Sequence, residues 1–173
     1  MGLDIFAISK IEIEQSPEVK AVRERLFISQ GEEAVEIVKD DIASVYCMHT
    51  EDMEAGVYYK TVESKSAHTG FSYGGYNSFR NQLSLSLIGV TAETVWFNNE
   101  LYENSPAFKV INFSDCEGLF GPTVSKEIYE QLVANRDKFE SQLTEESNYD
   151  LDRYDSFTEI FRLGSEDGIV MFH

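Results

Sequence analysis

The chain has 173 residues, of which 42% are hydrophobic and 13% aromatic, so its composition excludes a disordered chain and predicts one compact domain over residues 1–173. No apolar run approaches the ~20 residues that a membrane-spanning helix needs, so we expect no membrane insertion. The 14 basic residues stand against 31 acidic ones, and the net charge of −17 repels nucleic acid and anionic lipid, so we also expect no direct nucleic-acid binding.

The first residues and the cysteines predict a location. The opening MGLDIFAISK has no basic segment followed by an apolar one, so it does not read as a signal peptide. Cys47 and Cys116 form neither a disulfide framework nor a CxxC pair, which is typical of a reducing compartment. We therefore expect a cytoplasmic protein. The ligand spacing of a zinc site is absent, so we predict no metal, and the sequence names no cofactor.

The first third of the chain alternates between strand and helix patterns. Alternating apolar residues predict a strand over residues 3–14. Pro17 and the apolar spacing after it predict a helix that ends near Gly31, and residues 32–48 continue with a helical pattern. The alternation in GVYYKTVES predicts a second strand over residues 56–64.

The remaining two thirds add helices and short strands. Asn77 is the expected N-cap of a helix that ends at Gly89. Residues 93–103 predict two short strands around an Asn98-Asn99 turn, and FKVINF predicts a buried strand over residues 108–113. Two more helices are expected, one from Pro122 and one ending near Gly164, followed by a closing strand in GIVMF. The pattern predicts an α+β fold with a mixed or antiparallel sheet and about three to four helices.

The stretch FSYGGYN, residues 71–77, is the first candidate site. It leads from a strand through two glycines into a helix, and the free amides of a helix start favour an anion. Gly74 and Gly75 permit positive φ and close approach by a ligand, and Arg80 adds a guanidinium. The predicted contacts of a phosphate and a planar base are Ser72, Tyr73, Gly74, Gly75, Tyr76, Asn77 and Arg80.

The charge pattern supports this choice. No acid occurs between Glu63 and Glu93, although the chain is strongly acidic, and the same window holds Lys65, His68 and Arg80. An anionic ligand would meet the least electrostatic repulsion in this window. FSYGGYN matches neither a phosphate-binding P-loop nor a dinucleotide fingerprint, and the alternative interpretation is a tight turn with core aromatics and a capped helix.

The stretch INFSDCEGLFGP, residues 111–122, is the second candidate site. It follows a predicted strand and precedes a helix, where site residues often lie. Asp115 and Glu117 alternate and would point the same way, so with Ser114 they could accept hydrogen bonds from a ligand, bind a divalent cation, or act as acid and base. The alternative is a capping acid in a turn beside a buried Cys116 thiol.

These motifs resemble those of a family of uncharacterised small proteins of bacteria and their phages. The shared segments are MGLDI, SYGGYNSFRNQL, INFSDCEGLFGPTVSK and the terminal GIVMFH. The resemblance brings no established activity. It implies a cytoplasmic protein that is encoded by a phage and acts in the host cytoplasm against host defence.

Three functions follow from these observations. The first is a binding protein for a small phosphorylated or nucleotide-like ligand, sequestering a signalling molecule as a counter-defence protein. The second is an enzyme that uses Asp115 and Glu117 on a nucleotide-like substrate. The third is an acidic nucleic-acid mimic that inhibits a host defence protein. A homo-oligomer is compatible with each of them.

Overall fold

A computed structural model describes residues 2–13, 34–37, 47–54, 56–113, 118–143 and 148–173. The fold is α+β, as the sequence predicts. In chain order the elements are β1 (Gly2–Ile8), β2 (Ile11–Ile13), β3 (Ala34–Ile37), β4 (Cys47–His49), β5 (Gly56–Lys60), β6 (Ser66–Ser72), α1 (Tyr73–Leu87), α2 (Ala92–Phe97), α3 (Asn99–Tyr102), α4 (Phe108–Ile111), β7 (Gly118–Phe120), α5 (Pro122–Glu140), α6 (Asn148–Gly164) and β8 (Ile169–Phe172).

Two sheets organise these elements. The main sheet has the strand order β4-β7-β8-β1-β6, and a smaller one has the order β2-β5-β3. All pairings in the main sheet are antiparallel except the parallel pair β4–β7, so the sheet is mixed. The strand β8 closes the main sheet by pairing with β1 on one side and with β7 on the other. The edge strand β6 pairs with β1 along all seven of its residues.

The two faces of the main sheet are covered differently, because successive strand side chains point to opposite faces. Leu3, Ile5 and Ala7 belong to a core that they share with the long helices. On the other face, Ile8 packs in a second cluster with Ile11 of β2, which lies in the smaller sheet. The main sheet therefore has helices on one side and, over part of the other, the smaller sheet.

The helix layer is held by aromatic packing. The rings of Phe79 in α1 and Phe157 in α6 lie 5.2 Å apart, edge to face. Those of Phe139 in α5 and Tyr154 in α6 are stacked at 4.4 Å. The buried Tyr154 hydroxyl donates to the Leu132 carbonyl at 2.6 Å, so its polar end is satisfied within the core.

Several predicted elements are confirmed. The predicted strand over residues 3–14 is confirmed as far as residue 13, since residue 14 lies outside the described residues. It divides at Lys10, whose φ of 52° turns the chain into the smaller sheet. GVYYK of the predicted second strand forms β5, and IVMF forms β8. The helices from Pro122 and up to Gly164 are α5 and α6. Gly89 ends α1 as predicted, with a φ of 91°.

The predicted helix over residues 32–48 is wrong where the chain is described. Ala34–Ile37 is a strand that pairs with β5, and Cys47–His49 is a strand that pairs with β7. Both pairings are with distant segments, which a local apolar period cannot reveal. The predicted helix from Pro17 lies outside the described residues.

The predicted strands over residues 93–103 and 108–113 are also wrong. The first region is helical because Thr91 caps α2, accepting from the Thr94 amide at 3.2 Å, and the helix restarts as α3 beyond Asn98. The second forms the single turn α4, since a short apolar run fits a buried helix as well as a strand. The described residues thus contain six helices, of which α1, α5 and α6 have 15 to 19 residues.

Candidate functional site

The first candidate site lies where β6 runs into α1. Ser72 is the N-cap of α1, and its hydroxyl accepts from the Gly75 amide at 3.0 Å. The helix therefore begins five residues earlier than predicted, and Asn77 lies within it rather than at its cap. The first turn of α1 contains no acid, which leaves the positive end of the helix dipole unneutralised by its own sequence.

The two glycines lie inside this first turn, not in a loop. Neither has positive φ, so the conformational freedom that glycine permits is not used at these two positions. Gly75 is needed for space instead, since a β-carbon there would lie 2.9 Å from the Ser72 hydroxyl. A β-carbon on Gly74 would meet nothing within 4 Å, so the backbone at Gly74 is open to approach.

The two tyrosines have different environments. Tyr76 is fully buried, and its ring lies 5.6 Å from Phe71 and 5.7 Å from Phe172 at the end of β8. Tyr73, one position after the cap, keeps 36% of its surface exposed. Of the pair that the sequence predicts to flank a planar group, Tyr73 is the one at the surface.

Arg80 is a buried side chain with 5% of its surface exposed. Its guanidinium donates to the Asn77 side-chain oxygen and to the Phe113 carbonyl. It also lies between two rings, 4.8 Å from the centroids of both Tyr76 and Trp96. Arg80 thus ties α1 to the chain that precedes the second candidate site, and its role as a phosphate contact stays a prediction.

The second candidate site is the stretch over residues 111–122, which contains the Phe113 carbonyl that Arg80 contacts. Ser114, Asp115 and Glu117 lie outside the described residues. Of the residues on either side of them, Phe113 packs its ring 4.1 Å from that of Phe120, and Gly118 begins β7. The two sequence stretches singled out above are therefore neighbours in the fold, joined by the Arg80–Phe113 hydrogen bond.

Arg153 of α6 is a residue near this site that the sequence does not reveal. Its guanidinium lies 5.3 Å from the Phe71 ring centroid, at the end of β6. Its Nη2 atom would be 3.9 Å from a β-carbon on Gly75, so it reaches the first turn of α1. No local pattern links Arg153 to FSYGGYN, because the two are brought together by the packing of α6 on β6.

The described acid on the β1–β6 strand pair is Asp4, and it is hydrogen-bonded to a histidine. Asp4 of β1 lies across from Gly70, and its carboxylate is 2.9 Å from His68 Nε2. The His68 ring packs at 4.6 Å on the Phe6 ring, so this pair lies along the exposed face of β1 and β6. The N-terminal turn of α1 itself contains no acid, and the Arg153 guanidinium reaches it.

His49 is the described histidine with a shifted pKa. Burial lowers its pKa below the ordinary value, and its ring stacks at 5.2 Å on Phe120. The half-buried imidazole therefore packs against the aromatic rings of the core. Within the described part of the chain, no three His, Cys, Asp or Glu side chains group to hold a metal ion.

Two further observations concern membrane-spanning helices and similarity to known proteins. Among the helices in the described ranges, none is both long and apolar enough to cross a membrane. Comparison with protein-family models, curated proteins and solved structures finds no match to this chain. The resemblance to small bacterial and phage proteins therefore stays a prediction, and the function must be argued from the site itself.

Proposed function

We propose that this protein binds a small phosphorylated or nucleotide-like ligand at the N-terminal turn of α1. The observation that carries the proposal is the approach of the Arg153 guanidinium to that turn, beside the open backbone of Gly74. A helix N-terminus and a guanidinium both favour an anion, and the two together favour a phosphate.

The helix supplies the donors. By helix geometry, the amides of Tyr73 and Gly74 have no intrahelical acceptor, while Ser72 occupies the amide of Gly75. Two adjacent amides with an arginine alongside can bind two oxygens of one phosphate. The first turn of α1 contains no acid, so no carboxylate of its own opposes an anion there, although the whole chain is strongly negative.

The remainder of a nucleotide would meet two further groups. Tyr73 offers an exposed ring on which a base can stack. The segment with Ser114, Asp115 and Glu117 begins next to Phe113, which Arg80 holds against α1. Its carboxylates would accept hydrogen bonds from a ribose or an exocyclic amine.

The proposed role is sequestration. The resemblance to small phage proteins suggests a counter-defence protein that removes a signalling nucleotide from the host cytoplasm. A sequestering protein releases its ligand unchanged, whereas an enzyme using Asp115 and Glu117 converts an excess of it. Mass spectrometry of the ligand released by denaturing the loaded protein distinguishes sequestration from catalysis. Recovery of an altered ligand would contradict sequestration.

The site itself is tested by Arg153→Ala. Titration calorimetry with inorganic phosphate and a panel of nucleoside phosphates should show at least tenfold weaker binding, as expected for loss of a charged hydrogen bond. Arg136→Ala is the matched control, since Arg136 pairs with Asp155 at 2.7 Å and lies on α5. Equal binding by both variants and the unaltered protein would remove Arg153 from the site.

A further inference from the structure

The edge strand β6 has backbone groups that no described strand uses. The backbone amide of Ser9 donates to the Lys65 carbonyl at 2.9 Å. The backbone amide and carbonyl of Asp4 instead bond to His173, which follows β8. Along a strand of an antiparallel sheet, successive residues hydrogen-bond alternately to the neighbour on one side and to the neighbour on the other. The odd-numbered residues of β6 therefore bond to β1. The amides and carbonyls of Ser66, His68 and Gly70 therefore point away from the sheet.

Within the described part of the chain, this edge strand itself has none of the features that usually protect an edge. Natural edges are short or carry prolines, bulges or charged side chains. The strand β6 is seven residues long, contains no proline and no Lys, Arg, Asp or Glu, and pairs with β1 without a bulge. Its outward-bonding residues Ser66, His68 and Gly70 are all exposed. Such an edge is a template for another strand.

The distribution of acidic residues indicates which strand can pair with the β6 edge. Two copies of a chain with net charge −17 repel each other over most of their surfaces, yet β6 lies in the window from residue 64 to residue 92 that holds no acid. We infer that two copies of this protein pair antiparallel through their β6 edges. With Thr69 on the two-fold axis, all seven residues find a partner, and His68 lies across from the partner's Gly70.

This register changes the anion site, and the next step rests on the proposed function. Pairing Ser72 with the partner's Ser66 places the partner's Lys65 opposite Tyr73, at the start of α1. Lys65 lies near Glu159 on the helix side of the sheet, since the Glu159 pKa is lowered first by its hydrogen bonds to Arg162 and also by Lys65. The partner's Lys65 thus joins Arg153 on the same face, and each site contains residues of both copies.

The pairing is tested with two variants of one residue. His68→Pro removes an amide that points off the edge and keeps the bonds to β1, whereas His68→Thr removes the same side chain and keeps the amide. We expect sedimentation at micromolar concentration to show dimers for the unaltered protein and for His68→Thr, and monomers for His68→Pro with unchanged circular dichroism. A monomeric unaltered protein, or a dimeric His68→Pro, would overturn the inference.

The shared site is tested by complementation. Lys65→Ala and Arg153→Ala should each weaken binding of adenosine monophosphate by roughly tenfold or more. Co-expressed with two different tags and purified as a mixed dimer, they rebuild one intact site per dimer, and we expect half the normal stoichiometry at normal affinity. A mixed dimer that binds no better than either parent overturns the sharing of the site. A dimer that binds no phosphate compound in any form refutes the proposed function and leaves the β6 pairing standing.

Discussion

Replacing Gly74 with glutamate should make the protein more stable and, at the same time, weaken the binding of an anion at α1. A side chain at this position meets nothing within 4 Å, so the substitution introduces no clash. Removing a helical glycine contributes up to about 1 kcal/mol, and a carboxylate in the first turn adds about 0.3–1 kcal/mol through the helix dipole. The sum of about 1.5 kcal/mol corresponds to a rise of roughly 3–6 °C in Tm for a chain of this size.

The same carboxylate opposes the ligand. At about 5 Å from a bound phosphate, two like charges near a protein surface repel by roughly 1–3 kcal/mol, which weakens binding by about tenfold or more. Thermal unfolding and calorimetry with inorganic phosphate measure the two effects on one sample. Gly74→Ala is the control, because it gains the helix propensity without the charge and should bind normally.

Two results would refute this reasoning. A Gly74→Glu protein that is more stable and binds phosphate as before would mean that the anion is not held at α1. A Gly74→Ala protein that is less stable would mean that Gly74 is required by the backbone, contrary to the helical conformation and the open space described above.

Three further predictions concern the core. Arg80→Ala should lower the free energy of unfolding by about 3 kcal/mol or more, because it removes two buried hydrogen bonds of a charged group, and Arg80→Lys should not restore it; denaturant titration measures both. Tyr154→Phe should cost about 1–2 kcal/mol by leaving the Leu132 carbonyl without its donor, again read from the denaturation midpoint. His49 has a lowered pKa in the folded state because of burial, so its contribution to stability is full above its unfolded pKa of about 6.5 and is lost as the pH falls below that value. His49→Phe should flatten this part of the stability–pH profile, and an unchanged slope would contradict a lowered pKa of the half-buried imidazole.

Local signals explain what the sequence predicts correctly. Pro122 occupies the first turn of α5, and the spacing of Ile128 and Leu132 places both on its buried side. The residues that form such a signal lie within a few positions of each other, so the element can be predicted without knowledge of the fold. The alternation in β1 and the apolar run in β8 are of the same kind.

The errors arise where distant contacts override a local preference. Two glycines at the start of α1 favour a loop by propensity, but the buried rings of Tyr76 and Phe79 fix the helix from its first turn. The same holds for the candidate site. Arg153 reaches Gly75 only through the packing of α6 on β6, and Arg80 turns inward because Phe113 and Asn77 accept from it.

The central position of β8 has a consequence for how the protein is made. The strands β1 and β7 flank β8 and do not pair with each other, so the main sheet cannot close until residue 172 has been synthesised. A ladder such as Ile5 with Phe172 joins segments from opposite ends of the described chain, which makes folding slow relative to a helical bundle. Throughout synthesis β1 therefore exposes the edge that β8 will cover, and the nascent chain is open to strand pairing with its neighbours on a polysome.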